Sequence, residues 1–285
     1  VLMLQFSELP FPKPGRHRIM RIMKSMRDED TFAYDGEVGL WWLRRSMDGA
    51  HRRAYRNIAD FIQASYRRSP RLVVDYACGP GTILSLLSLR FRHSRFVGLD
   101  GSSFMLEAAR RRFSSLPREC RSRISVIETP LPKVDVMPAG ADLVVFCFPN
   151  MMPFPKDDCS GCGGLSRDDI IIARELTGSD EHYSALEYGR CISHSLRRLL
   201  VDRGICVRIE YASKKRHELS PSELEYVSFE EGSLDQPVAG RIPEVWFRVR
   251  ASAYFRSRVL SDVYEQTGDD RDRKGGYLIT VLEAV

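Results

Sequence analysis

Asp75, Gly79, Gly81 and Asp100 are the residues whose types and spacing first suggest chemistry. Residues 71–82 read Arg-Leu-Val-Val-Asp-Tyr-Ala-Cys-Gly-Pro-Gly-Thr. An apolar run ends in a carboxylate, passes Ala77 and Cys78, turns through two glycines and enters a helix-like run at Ile83. A strand that ends in a tight glycine turn and opens a helix is a cradle for a nucleotide cofactor. Gly79 and Gly81 lack the Cβ atoms that would hold a ligand off the backbone. Two cofactor classes compete for this turn. A dinucleotide fingerprint asks for glycine or alanine at position 84. The residue there is Leu84, which closes the gap meant for a pyrophosphate, and Asp75 would repel phosphate. The same carboxylate suits the ammonium group of an amino acid.

The segment resembles motif I of the class I S-adenosylmethionine-dependent methyltransferases. The resemblance implies S-adenosyl-L-methionine as cofactor, S-adenosyl-L-homocysteine as product, and a loop that holds the methionine part. Downstream, Ser94-Arg95-Phe96-Val97-Gly98-Leu99-Asp100 reads as a second strand. Its terminal acid lies about 20 residues beyond the glycines, where an acid accepts hydrogen bonds from ribose hydroxyls. That feature is shared with nicotinamide enzymes. Gly101 and Ser102 then open a helix, with Ser102 or Ser103 as N-cap, and the resemblance puts Met105 against adenine. A third strand, 123–127, runs into Glu128 and Thr129, which match the positions that touch the adenine amino group. The fourth, 141–148, resembles the family strand whose carboxyl end faces the reacting methyl, which brings Phe148 and Asn150 beside it. Phe148-Pro149-Asn150 departs from the Asn/Asp-Pro-Pro-aromatic pattern of enzymes acting on nucleobase amines, and this argues against such an acceptor. The implied fold is α/β: a Rossmann-like, mostly parallel seven-stranded sheet with an antiparallel last strand at 276–282, plus an N-terminal helical cap.

The elements around these motifs follow from pattern. Residues 1–69 read as the cap or lid, and 70–285 as the cofactor-binding core with insertions at about 156–184 and 213–243. Ile19, Met20, Ile22, Met23 and Met26 give an apolar helical face. A long helix fits 47–68, stopped by Ser69-Pro70. On the segment before it, Tyr34 is the candidate for the cofactor carboxylate, while Trp41 and Trp42 are either core residues or walls of an acceptor pocket. Asp157, Asp158, Asp168 and Asp169 lie in a long polar loop, which is the composition of a lid or a disordered segment. At its end, His182 and Tyr183 are the candidate proton acceptors. A helix over 185–202 leads through Gly204 into a strand at 205–211. A further strand fits 244–251, and a helix fits 253–267.

Composition bounds the rest. The chain has 285 residues, 43% hydrophobic and 28% charged, with net charge +5, the profile of an ordinary globular protein. No apolar run reaches the roughly 18 residues of a membrane span, so a cytoplasmic protein without a membrane partner is expected. The basic residues are mostly arginine and are interspersed with acids. That composition leaves an RNA groove open without requiring one. Seven cysteines are scattered as free thiols. Cys78, Cys147 and Cys206 are expected to pack beside strands. Cys159 and Cys162 have metal spacing but lack the two further ligands of a zinc site, so no metal is expected. The resulting expectation is methyl transfer to N or O of a small metabolite in bacterial specialised metabolism. An RNA or protein methyltransferase with an open basic groove is the alternative.

Overall fold

The computed structural model describes residues 36–66, 69–131, 134, 140–148, 192–212, 246–259 and 276–285, with backbone alone for 36–38, 41 and 210–212. Two helices, α1 (Gly36–Ser46) and α2 (Gly49–Ser65), lead into β1 (Leu72–Tyr76). Then follow α3 (Thr82–Arg90), β2 (Arg95–Asp100), α4 (Ser103–Ser114), the short α5 (Arg118–Arg121), β3 (Ile124–Glu128) and β4 (Ala141–Cys147). Residues 192–199 are helical (α6) and run into β5 (Leu200–Ala212), β6 (Phe247–Arg256) and β7 (Gly276–Ala284).

The seven strands form one sheet in the order β3-β2-β1-β4-β5-β7-β6. β1 pairs parallel with β2 on one side and β4 on the other. β7 runs antiparallel to both β5 and β6, so the expected mostly parallel sheet with an antiparallel last strand is observed. The chain reverses its direction of winding at β1, and the crevice above the carboxyl ends of β1 and β4 is where such sheets bind ligands.

Alternation along each strand divides the core in two. Val73, Leu143, Val145, Val207 and Ile279 face one way. They pack on Ala54, Ile58 and Ile62 of α2, Ile83 and Leu87 of α3, and Leu106 and Phe113 of α4. Val74, Val144, Phe146, Cys206 and Leu282 face the other way, against Ile192, Leu196 and Leu199 of α6. Central strands buried on both faces need continuous apolar runs, which is why Leu-Val-Val and Leu-Val-Val-Phe recur in β1 and β4.

Two polar clasps fix the frame. The Asp142 carboxylate accepts from the backbone N–H groups of Arg71 (2.7 Å) and Leu72 (3.1 Å), joining the starts of β1 and β4. Arg123 donates to the carbonyls of Ser88, Phe91 and Ser94, each at 2.8 Å, and so ties the tail of α3 to the entry of β2. Cys78 and Cys206 are buried free thiols, and Cys147 is partly buried.

Two expectations need correction. The helix placed at 185–202 ends at residue 199, and β5 begins at Leu200, which pairs with Ala141. The register then shifts, Arg203 takes φ 61°, and a Cβ on Gly204 would sit 2.8 Å from the Val201 carbonyl oxygen. This irregular entry absorbs the Asp-Arg-Gly signal. The helix placed at 253–267 is also wrong at its start. β6 continues to Arg256, with Tyr254 and Phe255 opposite Leu278 and Tyr277. Pairing with β7 outweighs local helix preference. No helix of the described residues is long and apolar enough to cross a membrane.

Candidate cofactor site

The turn after β1 is built from backbone that only special positions tolerate. Ala77, Gly79 and Gly81 have φ of 60°, 49° and 67°. The Cys78 N–H donates to the Leu99 carbonyl (2.9 Å) and the Gly81 N–H to the Cys78 carbonyl (3.0 Å), which closes the turn before α3. The two glycines have different duties. A Cβ on Gly81 would lie 2.4 Å from the Phe113 ring and 3.2 Å from Ala109, so this glycine seats α4 on the turn. A Cβ on Gly79 meets nothing within 4 Å, so it is Gly79 that leaves room for a ligand over the backbone. Cys78 turns its sulfur toward Gly98, 2.8 Å from where a Cβ would stand there. Burial, with Asp100 and Asp75 nearby, pushes its thiol up.

Asp100 joins this turn to the next one. Its carboxylate accepts from the Gly79 N–H (2.7 Å) and the Ser102 N–H (2.9 Å). Burial raises its pKa against the opposing pull of those bonds. Ser102 caps α4, its hydroxyl accepting from the Met105 N–H at 3.1 Å. The Thr129 N–H donates to the Asp100 carbonyl (2.9 Å), and Glu128 stands in register with Asp100 across β2 and β3. Met105 and Thr129 are buried, and Gly101 and Glu128 are exposed. Asp75, Ala77, Cys78, Gly79, Asp100, Ser102 and Thr129 therefore occupy neighbouring strand ends. Tyr34, Asn150, His182 and Tyr183, like Cys159 and Cys162, lie outside the described residues.

Asp75 is the anomaly of the site. It is 1% exposed, and neither carboxylate oxygen has a hydrogen-bond partner. Burial, reinforced by the nearby Asp100, pushes its pKa well above the ordinary aspartate value. A buried unpaired carboxylate costs several kcal/mol unless something neutralises it. A ligand ammonium would do so, so the residues present fit the amino-acid end of S-adenosylmethionine. The buried Thr82 hydroxyl, at the first turn of α3, likewise has no partner. Asp100 retains lone-pair capacity beyond its two backbone bonds, enough for a ribose hydroxyl.

The opposite wall was not legible in the motif. Phe148 leaves β4 with φ 51°, its N–H donating to the Ile209 carbonyl at 2.7 Å. Its ring meets His51, Tyr55 and Tyr277 edge-on, with centroids 5.6, 5.6 and 5.8 Å away. Arg112 of α4 donates from Nε to the Pro80 carbonyl (2.8 Å). The start of α2 thus lies beside the carboxyl end of β4, the strand that pairs with β1. The available signal was Asp48 three residues before His51, a helix-capping spacing. Among the described residues no cluster of histidine, cysteine and acids is suited to a metal.

Parts of the chain match known proteins. Residues 73–162 match the family model described as a methyltransferase domain. A trans-aconitate 2-methyltransferase of Methylobacterium radiotolerans is 41% identical over 63 residues, 22% of this chain and 23% of that protein. One from Methylobacterium nodulans is 36% identical over 88 residues, 31% and 33% of the two chains. The matches span a third or less of these relatives' length. Among solved structures, geranyl diphosphate C-methyltransferase from Streptomyces coelicolor is similar at 14% identity and a TM-score of 0.47, covering 82% of this chain and 80% of that one. Mitomycin 7-O-methyltransferase is similar at 13% identity and a TM-score of 0.45, covering 94% and 67%.

Proposed function

We propose that this chain, whose residues 73–162 match a methyltransferase domain, is a class I S-adenosylmethionine-dependent methyltransferase that methylates nitrogen or oxygen of a small metabolite. The observation that carries the reading is Asp75, a buried carboxylate with two unpartnered oxygens beneath an open glycine turn. The phosphates of a dinucleotide lying over that turn would be repelled by it.

In this reading Asp75 holds the cofactor ammonium, and the backbone at Ala77, Cys78 and Gly79 lines the methionine chain. Gly81 supports the turn from below. Asp100, with Gly101 and Ser102, takes the ribose hydroxyls. Met105, Glu128 and Thr129 surround adenine, while Phe148 and Asn150 border the transferred methyl. Tyr34 reaches the cofactor carboxylate, and His182 and Tyr183 are candidate proton acceptors. The cofactor supplies a methyl group already bound to a positively charged sulfur. The protein's share is to orient the acceptor, worth about 7–11 kcal/mol of barrier, and to exclude water. Residues 1–69 would cover the core formed by 70–285, enclosing a compact acceptor. A cytoplasmic setting in bacterial specialised metabolism belongs to the same reading. The relatives named for trans-aconitate support a small acceptor over a macromolecule.

Calorimetric titration tests the cofactor half. S-adenosylhomocysteine should bind the wild-type chain and NADH should not, and the reverse result would sink the assignment. Transfer of label from methyl-labelled S-adenosylmethionine into a low-molecular-weight bacterial extract, against folded RNA and protein pools, tests the acceptor half.

A further inference from the structure

We propose that β6 is a self-pairing edge, through which two copies of this chain join in a reversible dimer with Ser252 on the twofold axis. Among the described residues β7 is the sole strand neighbour of β6, which ends the sheet. Five consecutive residues, Arg248 to Ser252, are exposed, so neither helical layer covers this end of the sheet. Val249 is 41% exposed, an apolar side chain on a bare strand. An edge of ten residues is longer than the common strand of about five or six. It directs a row of N–H and C=O groups away from the sheet, a template for another strand.

The order of residues in β6 says which strand fits. Parallel, in-register pairing with a second copy would set Arg248 beside Arg248 and Arg256 beside Arg256, and facing like charges destabilise a ladder. Antiparallel pairing reverses one copy. Facing residues must then share the same hydrogen-bonding parity, so a regular strand opposes only positions that differ by an even number. β6 is not regular. Val249 stands opposite Leu282 and Ala251 opposite Val281, so Arg250 is the extra residue of a bulge. Its Nε donates to Glu283 at 2.7 Å, which keeps this arginine on its own sheet. Skipping it changes the count by one, and the strand then matches its copy about Ser252. Phe247 meets Arg256 of the second copy, Arg248 meets Phe255, Val249 meets Tyr254 and Ala251 meets Ala253. Ser252 meets Ser252.

In this register each ladder arginine faces an aromatic position, the favourable neighbour of a guanidinium, and none faces another arginine. Small residues surround the axis, so the two backbones approach without crowding. A slip in either direction sets Arg248 against Ala253 or Arg256 against Val249 and loses both aromatic pairs. Bulges and charged side chains guard edge strands against indiscriminate pairing; in β6 they leave one register of full overlap. A single strand edge is a smaller interface than that of a permanent dimer, so monomer and dimer exchange. β6 lies three strands from β4, so each copy keeps its own crevice, and the axis turns the two crevices to opposite ends of the joined sheet. The inference is therefore independent of the cofactor reading.

Sedimentation velocity of the full chain over a dilution series is the test. The wild-type chain should pass from monomer to twice that mass as concentration rises. Because Ser252 faces its own copy, Ser252→Lys and Ser252→Glu each set like charges on the axis and should stay monomeric where the wild-type chain is dimeric. An equimolar mixture of the two variants should restore the dimer, which a contact away from the axis does not produce. Ser252→Cys, a near-isosteric change at an exposed position, covers the case in which a charged variant fails to fold. Facing Cα atoms of an antiparallel pair lie about 4.5–5.5 Å apart, within disulfide reach, so mild oxidation should link this variant to its own copy well above the wild-type level. The proposal is overturned by a wild-type chain that stays monomeric throughout, by a dimer that persists in both charged variants, by a mixture that stays monomeric, or by Ser252→Cys linking no more than the wild-type chain.

Discussion

The two walls of the crevice are made differently. The cofactor wall is local: β1, its glycine turn and α3 are contiguous in the chain, and the second turn, at Asp100, lies one strand away. Its working groups are mostly backbone, held by short bonds to Asp100. The opposite wall is assembled from α2, the end of β4 and β7, and is made of side chains, with Phe148 at the meeting point of His51, Tyr55 and Tyr277. A local, backbone-built wall is constrained by one unvarying ligand. A wall of converging side chains can be rebuilt residue by residue, which under the proposed function would make it the place of acceptor choice.

Substitutions separate the walls and, within the first, separate framework from contact. The largest effect should come from Gly81→Val, which adds a clash with Phe113 to a left-handed backbone. A loss of about 2–6 kcal/mol is expected, read as a fall in the denaturation midpoint. Wild-type stability in that variant would break the distinction drawn between the two glycines. Asp75→Asn should cost about 10- to 100-fold in S-adenosylhomocysteine affinity, the worth of a charged hydrogen bond. It should also change the pH profile of the ligand-free chain. The Asp75 pKa is raised on folding, so the folded state holds its proton more tightly than the unfolded chain does. Wild-type stability should therefore fall as pH rises from the ordinary aspartate pKa toward the raised value. Asp75→Asn should lack that fall, and thermal melting across pH with and without ligand checks it. Gly79→Ala has open space but the same backbone handedness. About 1–2 kcal/mol of stability should be lost, with a disproportionate loss of calorimetric affinity. The smallest change, Ser102→Ala, removes the α4 cap and should cost about 1 kcal/mol by urea denaturation.

The same contrast explains what the chain revealed before folding. β1, β2 and β4 announce themselves because a doubly buried strand must be an apolar run, and Asp75 and Asp100 stand where those runs stop. The sequence treats Gly79 and Gly81 alike, because Phe113, which divides their duties, arrives from another helix. His51 reads in the sequence as a polar residue of an amphipathic helix, because its ring contact with Phe148 joins segments far apart in the chain. The stretch at 253–256 fits a helix by local pattern, and what makes it a strand is β7, whose pairing is written elsewhere in the chain.

Arg123 carries a mechanical consequence. By gathering the Ser88, Phe91 and Ser94 carbonyls it anchors the far end of α3, so that helix cannot slide along its axis when a ligand settles at its head. Accommodation at the glycine turn must then occur by rotation of single peptide planes above a stationary rod. A lysine, with one charged nitrogen in place of a planar fork, would loosen that anchorage and let the whole lever move.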